Sequence, residues 1–160
     1  MLRYAIKSDL PAIAEIYWSV WHETHAPLMP QGERDRRTQD FFLKRISAFA
    51  PCALVSEEGG KIVAFSAWQG NLVGQLFVLP EWRGQGIADA LIEATETELV
   101  KSGVIDGELH CLVGNDRARR FWERLGWAHS GEIIEPAFDA AGETGVPFWR
   151  MTKTLSGDPS

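Results

Sequence analysis

The stretch Val78-Leu79-Pro80-Glu81-Trp82-Arg83-Gly84-Gln85-Gly86-Ile87-Ala88 decides how this chain is read. An apolar run, Leu76-Phe77-Val78, stops at Pro80. Beyond the glycines, apolar Ile87, Ala88, Leu91, Ile92, Ala94 and Leu99 recur at helical spacing. The order is strand, glycine loop, helix. Two glycines let the backbone aim its N–H groups at one point, and the dipole of the following helix adds positive potential there. Such a nest holds phosphate oxygens. The loop therefore predicts a phosphorylated small-molecule ligand, with an ordinary strand-to-helix turn as the bland alternative.

Two nucleotide patterns are excluded. A dinucleotide fold requires G-x-G-x-x-G, and Asp89 stands where its third glycine belongs; a P-loop requires Lys-Ser/Thr, which is missing.

Outward from the loop, the pattern upstream predicts a strand at 4–6 and a helix capped by Ser8 or Asp9, with Pro11 in its first turn. A loop follows at His25–Gly32, then one helix over Glu33–Phe49. Strands are expected at 52–57 and 61–69, joined by Glu57-Glu58-Gly59-Gly60, and at 72–79. Downstream, the helix after the loop ends near Lys101 with Gly103 as its cap. Then come a strand at Glu108–Val113 and a helix from Asn115 or Asp116 to Leu125. Strands near 127–135 and 146–154 surround a loop rich in Pro, Asp and Gly. The order β-α-α-β-β-β-α-β-α-β-β predicts an α/β fold: a single domain over 1–155, its mixed, mostly antiparallel sheet flanked by helices on both faces. Residues 156–160 read as a disordered tail.

Composition narrows the partners. At 160 residues and 45% hydrophobic, the chain suits one globular domain. A net charge of −6 argues against nucleic acid and is compatible with a cationic amine. Cys52 and Cys111, with no C-x-x-C, read as reduced core residues. No apolar run is long enough to span a membrane and no signal peptide is evident, so a cytoplasmic protein is expected.

Arg83-x-x-Gly86-x-Ala88 resembles the Q/R-x-x-G-x-G/A signature of the GNAT acyl-CoA N-acyltransferase family, with Ala88 a permitted variant. A second stretch, Asn115-Asp116-Arg117-Ala118-Arg119-Arg120-Phe121-Trp122-Glu123-Arg124-Leu125-Gly126-Trp127, resembles that family's N-x-x-A-x-x-F-Y-x-x-x-G-F motif. Asn115, Ala118, Phe121, Leu125 and Gly126 also have plain structural readings as cap, core and stop. Weaker likenesses lie in Ser8–Tyr17 and in Trp21-x-x-Thr24-x-x-x-x-Met29-Pro30, so the resemblance covers about residues 1–154. It implies acetyl-CoA as acetyl donor. Arg83, Gly84, Gln85, Gly86, Ile87 and Ala88 would wrap its pyrophosphate, and Phe77, Val78 and Leu79 would pair with its pantetheine arm. Asn115 would bond that arm, with Arg119, Arg120 and Phe121 flanking the adenine end.

The implied reaction moves an acetyl group to the primary amine of a small molecule by direct attack in a ternary complex. A protein N-terminus or lysine is the alternative acceptor, and a catalytically weak CoA-binding module the alternative role. The oligomeric state is open, a homodimer included. The general base is not identified: Glu81, His110 and a water relay all stay in view, and the strand before the loop offers only Asn71 just ahead of it and Gln75 within it. His22-x-x-His25 lacks a third ligand, so no metal is expected. The general acid is a departure. The family commonly has tyrosine after the motif phenylalanine, and here it is Trp122, whose indole N–H donates but does not titrate. Trp18 and Trp21 are candidates to line an amine pocket through cation–π contact, and Trp82 to lie near the cofactor.

Overall fold

The computed structural model describes residues 1–139 and 142–155. Its strands are β1 (Leu2–Tyr4), β2 (Ala53–Glu58), β3 (Lys61–Gln69), β4 (Leu72–Val78), β5 (Asp106–Leu112), β6 (Ala128–Asp139) and β7 (Gly142–Thr154). Its helices are α1 (Leu10–Thr24), α2 (Gln31–Arg36), α3 (Gln39–Phe49), α4 (Ile87–Lys101) and α5 (Asp116–Arg124). The sheet order is β1-β2-β3-β4-β5-β7-β6. Every neighbouring pair is antiparallel except β4 and β5.

Period-two alternation divides the apolar residues between two faces. On one face, Ile13, Tyr17 and Val20 of α1 and Phe42 and Ile46 of α3 pack with Val55, Phe65, Phe77 and Leu112. On the other, Leu91, Ile92 and Leu99 of α4 pack with Leu54, Val78, Leu109, Trp127 and Met151, and α5 adds Ala118, Phe121 and Leu125. Each fully buried Leu or Ile contributes about 1.5–3 kcal/mol. One polar pair crosses the second core: Ser66 and Thr95 hydroxyls lie 2.8 Å apart, and Thr95 also donates to the Leu91 carbonyl. Both groups are thus satisfied, and the burial is tolerated.

Two irregularities in β4 create the site. Ala67 faces Gln75 while Trp68 faces Val73, so Gly74 is the extra residue of a bulge. A Cβ at Gly74 would stand 2.6 Å from Phe49 Cζ, which explains the glycine. The β4–β5 ladder holds one pair, Leu72↔Glu108, backed by the Glu108 N–H to Asn71 carbonyl bond at 2.9 Å. Past that pair the bulged strand leaves β5, and a gap opens in mid-sheet.

The predicted α/β architecture and its two helical layers are observed. Some boundaries differ. The first strand lies at Leu2–Tyr4 rather than 4–6. The single helix expected over Glu33–Phe49 is two helices, and α2 starts inside the expected loop at His25–Gly32. Arg37 (ψ 67°) breaks the helical path, and Thr38 restarts it by accepting the Phe41 N–H. The last hairpin is longer than expected, pairing as far as Asp139↔Gly142. Pro136 is accommodated because β6 is an edge strand. The predicted tail at 156–160 lies outside the described residues. Among the described residues, no helix is long and apolar enough to cross a membrane.

Candidate active site

The glycine loop has the form its residues predict. Gly84 and Gly86 have φ of 77° and 82°, a left-handed backbone that favours glycine. Gly86 caps α4, and the first bond of that helix runs from Ala90 N–H to the Gly86 carbonyl. The N–H groups of Ile87, Ala88 and Asp89 therefore have no partner within the helix and point out of its positive end. Nothing lies within 4 Å of where a Cβ would sit on Gly84 or Gly86, so the space over the loop is open.

A cavity of about 460 Å³ runs from this loop along β4 and β5 to the start of α5. Phe77, Val78, Arg83, Gly84, Gly86, Ile87, Ala88, Asn115, Phe121, Trp122 and His110 line it, as does Trp82. Leu79, Gln85 and Arg119 stand outside this lining. Leu79 donates its N–H to the Val63 carbonyl. By antiparallel alternation, the Val78 N–H faces the β5 side and the gap. Arg119 turns across α5 to lie 4.5 Å over the Trp149 ring and pairs with Glu123 at 3.3 Å. Helical spacing instead brings Arg117 and Arg124 to the cavity; Arg120 is exposed. Asn115 is the helix cap, accepting the Ala118 N–H at 3.3 Å. The Arg83 guanidinium is already engaged: Nη1 and Nη2 reach Glu23 at 2.9 and 2.8 Å, and Nε reaches the Val78 carbonyl at 3.2 Å. That pairing holds the Glu23 carboxyl below its ordinary range.

A smaller cavity of about 140 Å³ lies on the α1–α3 face. His25, Val73, Gly74, Gln75 and His110 line both cavities, so the two meet at the β4–β5 gap. His25 is held by Thr24. The Thr24 hydroxyl donates to the Val20 carbonyl, so it accepts from His25 Nδ1–H at 2.7 Å and leaves Nε2 with a lone pair. Burial, reinforced by Arg37, pushes this imidazole down to about 4, and it is neutral at physiological pH. His110 is bound on both sides, Nε2 to Glu108 at 2.6 Å and Nδ1 to Glu135 at 3.2 Å. The His110 bond, with a further one from Arg150, holds the Glu108 carboxyl low.

His22 and His25 do not converge. His22 Nε2 donates to the Arg37 carbonyl at 2.8 Å, away from the Thr24–His25 pair. Trp21 lines the smaller cavity, whereas Trp18 lines neither and packs on His22. Glu81 is exposed. Cys111 lies at the floor of the larger cavity, and burial pushes its thiol up to about 12, so it is not a nucleophile. The sequence reading missed His25 as a junction residue, and with it Arg37, Arg45 and Glu135 in the smaller cavity. No local motif marks them, because they converge only through packing of α1, α3 and β6.

A model described as the Acetyltransferase (GNAT) family matches residues 10–127. Among solved structures, the fold is similar to that of a GCN5-related N-acetyltransferase from Rhodopseudomonas palustris. Identity is 20%, coverage is 97% of this chain and 95% of that one, and the TM-score is 0.75. It is also similar to a ribosomal-protein-alanine N-acetyltransferase from Brucella melitensis, at 18% identity, 97% and 99% coverage and TM-score 0.76. A third likeness is a putative acetyltransferase from Salmonella typhimurium solved with its cofactor acetyl-CoA, at 20% identity, 100% and 96% coverage and TM-score 0.74. At these identities the structural likenesses speak for the fold, and the family rests on the sequence match. With that match extending over most of its length, the chain belongs to the GNAT acetyltransferase family, enzymes that take their acetyl group from acetyl-CoA.

Proposed function

We propose that residues 1–155 form a cytoplasmic N-acetyltransferase domain that acetylates the primary amine of a small molecule within a ternary complex. The observation that carries this reading is the meeting of two cavities of unequal size at the β4–β5 gap, one beside a phosphate nest and one beside neutral His25.

The residues present fit the donor. Three outward N–H groups at the end of α4 and two open, left-handed glycines suit a pyrophosphate. In this reading the Arg83–Ala88 loop holds the phosphates, Phe77 and Val78 offer a strand edge to the pantetheine arm, with Leu79 anchored to Val63 behind them, and Asn115, Phe121 and Trp122 close the cavity from α5. Arg117 and Arg124, rather than Arg119, supply positive charge toward the adenine end. Bound acetyl-CoA supplies a thioester: the amine nitrogen bonds the acetyl carbon, the C–S bond breaks with its electron pair going to sulfur, and the nitrogen gives up one proton.

The chain then has three tasks. Binding both partners in adjoining cavities provides proximity. The Val78 N–H, facing the gap, is placed to donate to the carbonyl oxygen as negative charge develops there. His25 Nε2 accepts a hydrogen bond from the amine and orients it, while Glu108, His110 and Glu135 form a chain that carries the released proton toward solvent. The Trp122 indole N–H has no hydrogen-bond partner among the described residues, and it offers the departing sulfur a hydrogen bond instead of a proton. A thiolate, whose thiol has a pKa of about 8.5, is a tolerable leaving group without an acid.

Calorimetry with acetyl-CoA and a thiol-release screen over small amines, peptides and polyamines test the reading. Micromolar donor binding and turnover with small amines are expected; turnover with peptides only would overturn the acceptor class. Trp122→Tyr should raise turnover severalfold and add a new limb to the pH profile; an unchanged profile would show that a general acid does not act from this position.

A further inference from the structure

We propose that the smaller cavity is an acceptor site for a free α-amino acid with an apolar side chain, its carboxylate held at the Arg45 end and its amine turned toward the β4–β5 gap. This inference rests on the acetyl-transfer reading above.

Size gives the first argument. About 140 Å³ of space accepts on the order of ten water-sized groups, the heavy-atom count of a mid-sized amino acid. Of a peptide, only the terminal residue would enter a space of that size.

Polarity gives the second. Arg37 and Arg45 come from the start and middle of the α3 region, whereas Glu135 and His110 come from β6 and β5. Glu135 bonds His110, which lines both cavities, so that carboxylate stands beside the gap, whereas Arg45 lines the smaller cavity only. The cationic end is only partly compensated. Arg37 lies against the Trp21 and Phe41 rings and is matched by buried Glu33, which Nη2 reaches at 2.5 Å. Arg45 lies beside the Tyr17 hydroxyl and 5.9 Å from the Phe41 ring centre, with no carboxylate partner among the described residues. An ammonium toward Glu135 and a carboxylate toward Arg45 would complement both ends. A simple amine leaves Arg45 to solvent and gains nothing from it. A peptide N-terminus carries an amide where the carboxylate belongs.

The walls between the ends give the third. Tyr17, Trp21, Met29, Phe49 and Phe148 surround the cavity with aromatic and thioether surface. That surface suits an apolar side chain, and the other polar side chains of the lining, Gln75 and His25, stand at the junction with the larger cavity.

Calorimetry on the full chain with coenzyme A present tests the site apart from turnover. L-leucine and L-methionine should bind, and 3-methylbutylamine (leucine without its carboxylate), leucinamide and a leucyl dipeptide should bind about tenfold or more weakly. Arg45→Gln is the informative variant, because Arg45 is exposed while loss of Arg37 would strip buried Glu33 of a partner. It should weaken leucine binding about tenfold or more, leave 3-methylbutylamine unchanged, and be partly rescued by Arg45→Lys. Equal affinity for leucine and 3-methylbutylamine, or preference for the dipeptide, overturns the proposal even where some amine is acetylated. Leucine binding that depends on Arg45, with no turnover of any amine, upholds the amino-acid site and instead overturns the acetyl-transfer reading.

Discussion

The two cavities are built from different materials. The larger, where it borders the glycine loop, is made chiefly of backbone: left-handed glycines, the open end of α4 and the free edge of β4. The smaller is made of side chains from α1, α3, β4, β5, β6 and β7, among them Tyr17, Arg45, His110 and Glu135. Backbone geometry is written in a short, contiguous stretch, so it tolerates almost any neighbouring side chain but not the loss of its glycines. A side-chain site is free to vary residue by residue while the fold beneath it stays the same. In this molecule one face suits an invariant donor and the other a particular acceptor.

The largest effect belongs to the backbone site. Gly86→Trp would place a bulky side chain over the loop and force an L-residue to φ 82°, at a cost of about 1–2 kcal/mol before any steric block. Acetyl-CoA affinity measured by calorimetry should fall about a hundredfold or more. Retained affinity would show that the nest is not the phosphate site and would break the comparison at its root.

This contrast also explains what was legible in the sequence. Strand, Pro80, two glycines and an amphipathic helix are local signals, and the loop, α4 and the α5 cap at Asn115 follow them closely. Other features depend on contacts distant in sequence. The break at Arg37–Thr38 has only Thr38 as its local sign, within a charged run that otherwise reads as one solvated helix. The long β6–β7 hairpin carries Pro136 and several glycines, which read as a loop until the edge position of β6 is known. Arg119 and Arg117 look alike in the sequence, and only Trp149 beneath Arg119 separates them. His25 sits in a Pro-flanked loop pattern, and packing alone brings it to the gap.

His25 belongs to both cavities, and its titration sharpens their boundary. Its folded pKa is depressed to about 4, against about 6.5 for an unfolded imidazole. The unfolded chain therefore binds a proton that the folded chain refuses. Stability is full above about pH 6.5 and is lost as pH falls toward 4, by about 2 kcal/mol because the ring keeps some access to the cavities. Asp9 and Glu23, held low by Arg3 and Arg83, add their losses only from about pH 4 downward. Urea unfolding at stepped pH should show the slope between 6.5 and 4, and His25→Gln should flatten it. A slope that survives the substitution would mean that another group is the desolvated one.

Gly74 tests whether the two sites can be disturbed separately. A methyl group there meets Phe49 Cζ at 2.6 Å, and Phe49 lines the smaller cavity only. Gly74→Ala should displace that ring, raising the acceptor KM about tenfold with acetyl-CoA affinity changed by about twofold at most. Parallel losses of both would show that the β4 bulge supports one continuous site instead of two.

The smallest expected effect is the most direct test of backbone against side chain. Arg83 occupies the motif position that the resemblance assigns to phosphate, yet its guanidinium is bound to Glu23 and to the Val78 carbonyl. The Glu23 side chain is 45% exposed, so the pair contributes about 1 kcal/mol or less and weakens further in salt. If the outward N–H groups of the loop hold the phosphates, Arg83→Gln should lower acetyl-CoA affinity only about twofold to fivefold, and high salt should erase most of that difference. A loss as large as that of Gly86→Trp would mean that Arg83 leaves Glu23 to meet the ligand. The nest would then be a side-chain site after all, and the distinction between the two cavities would rest on the acceptor side alone.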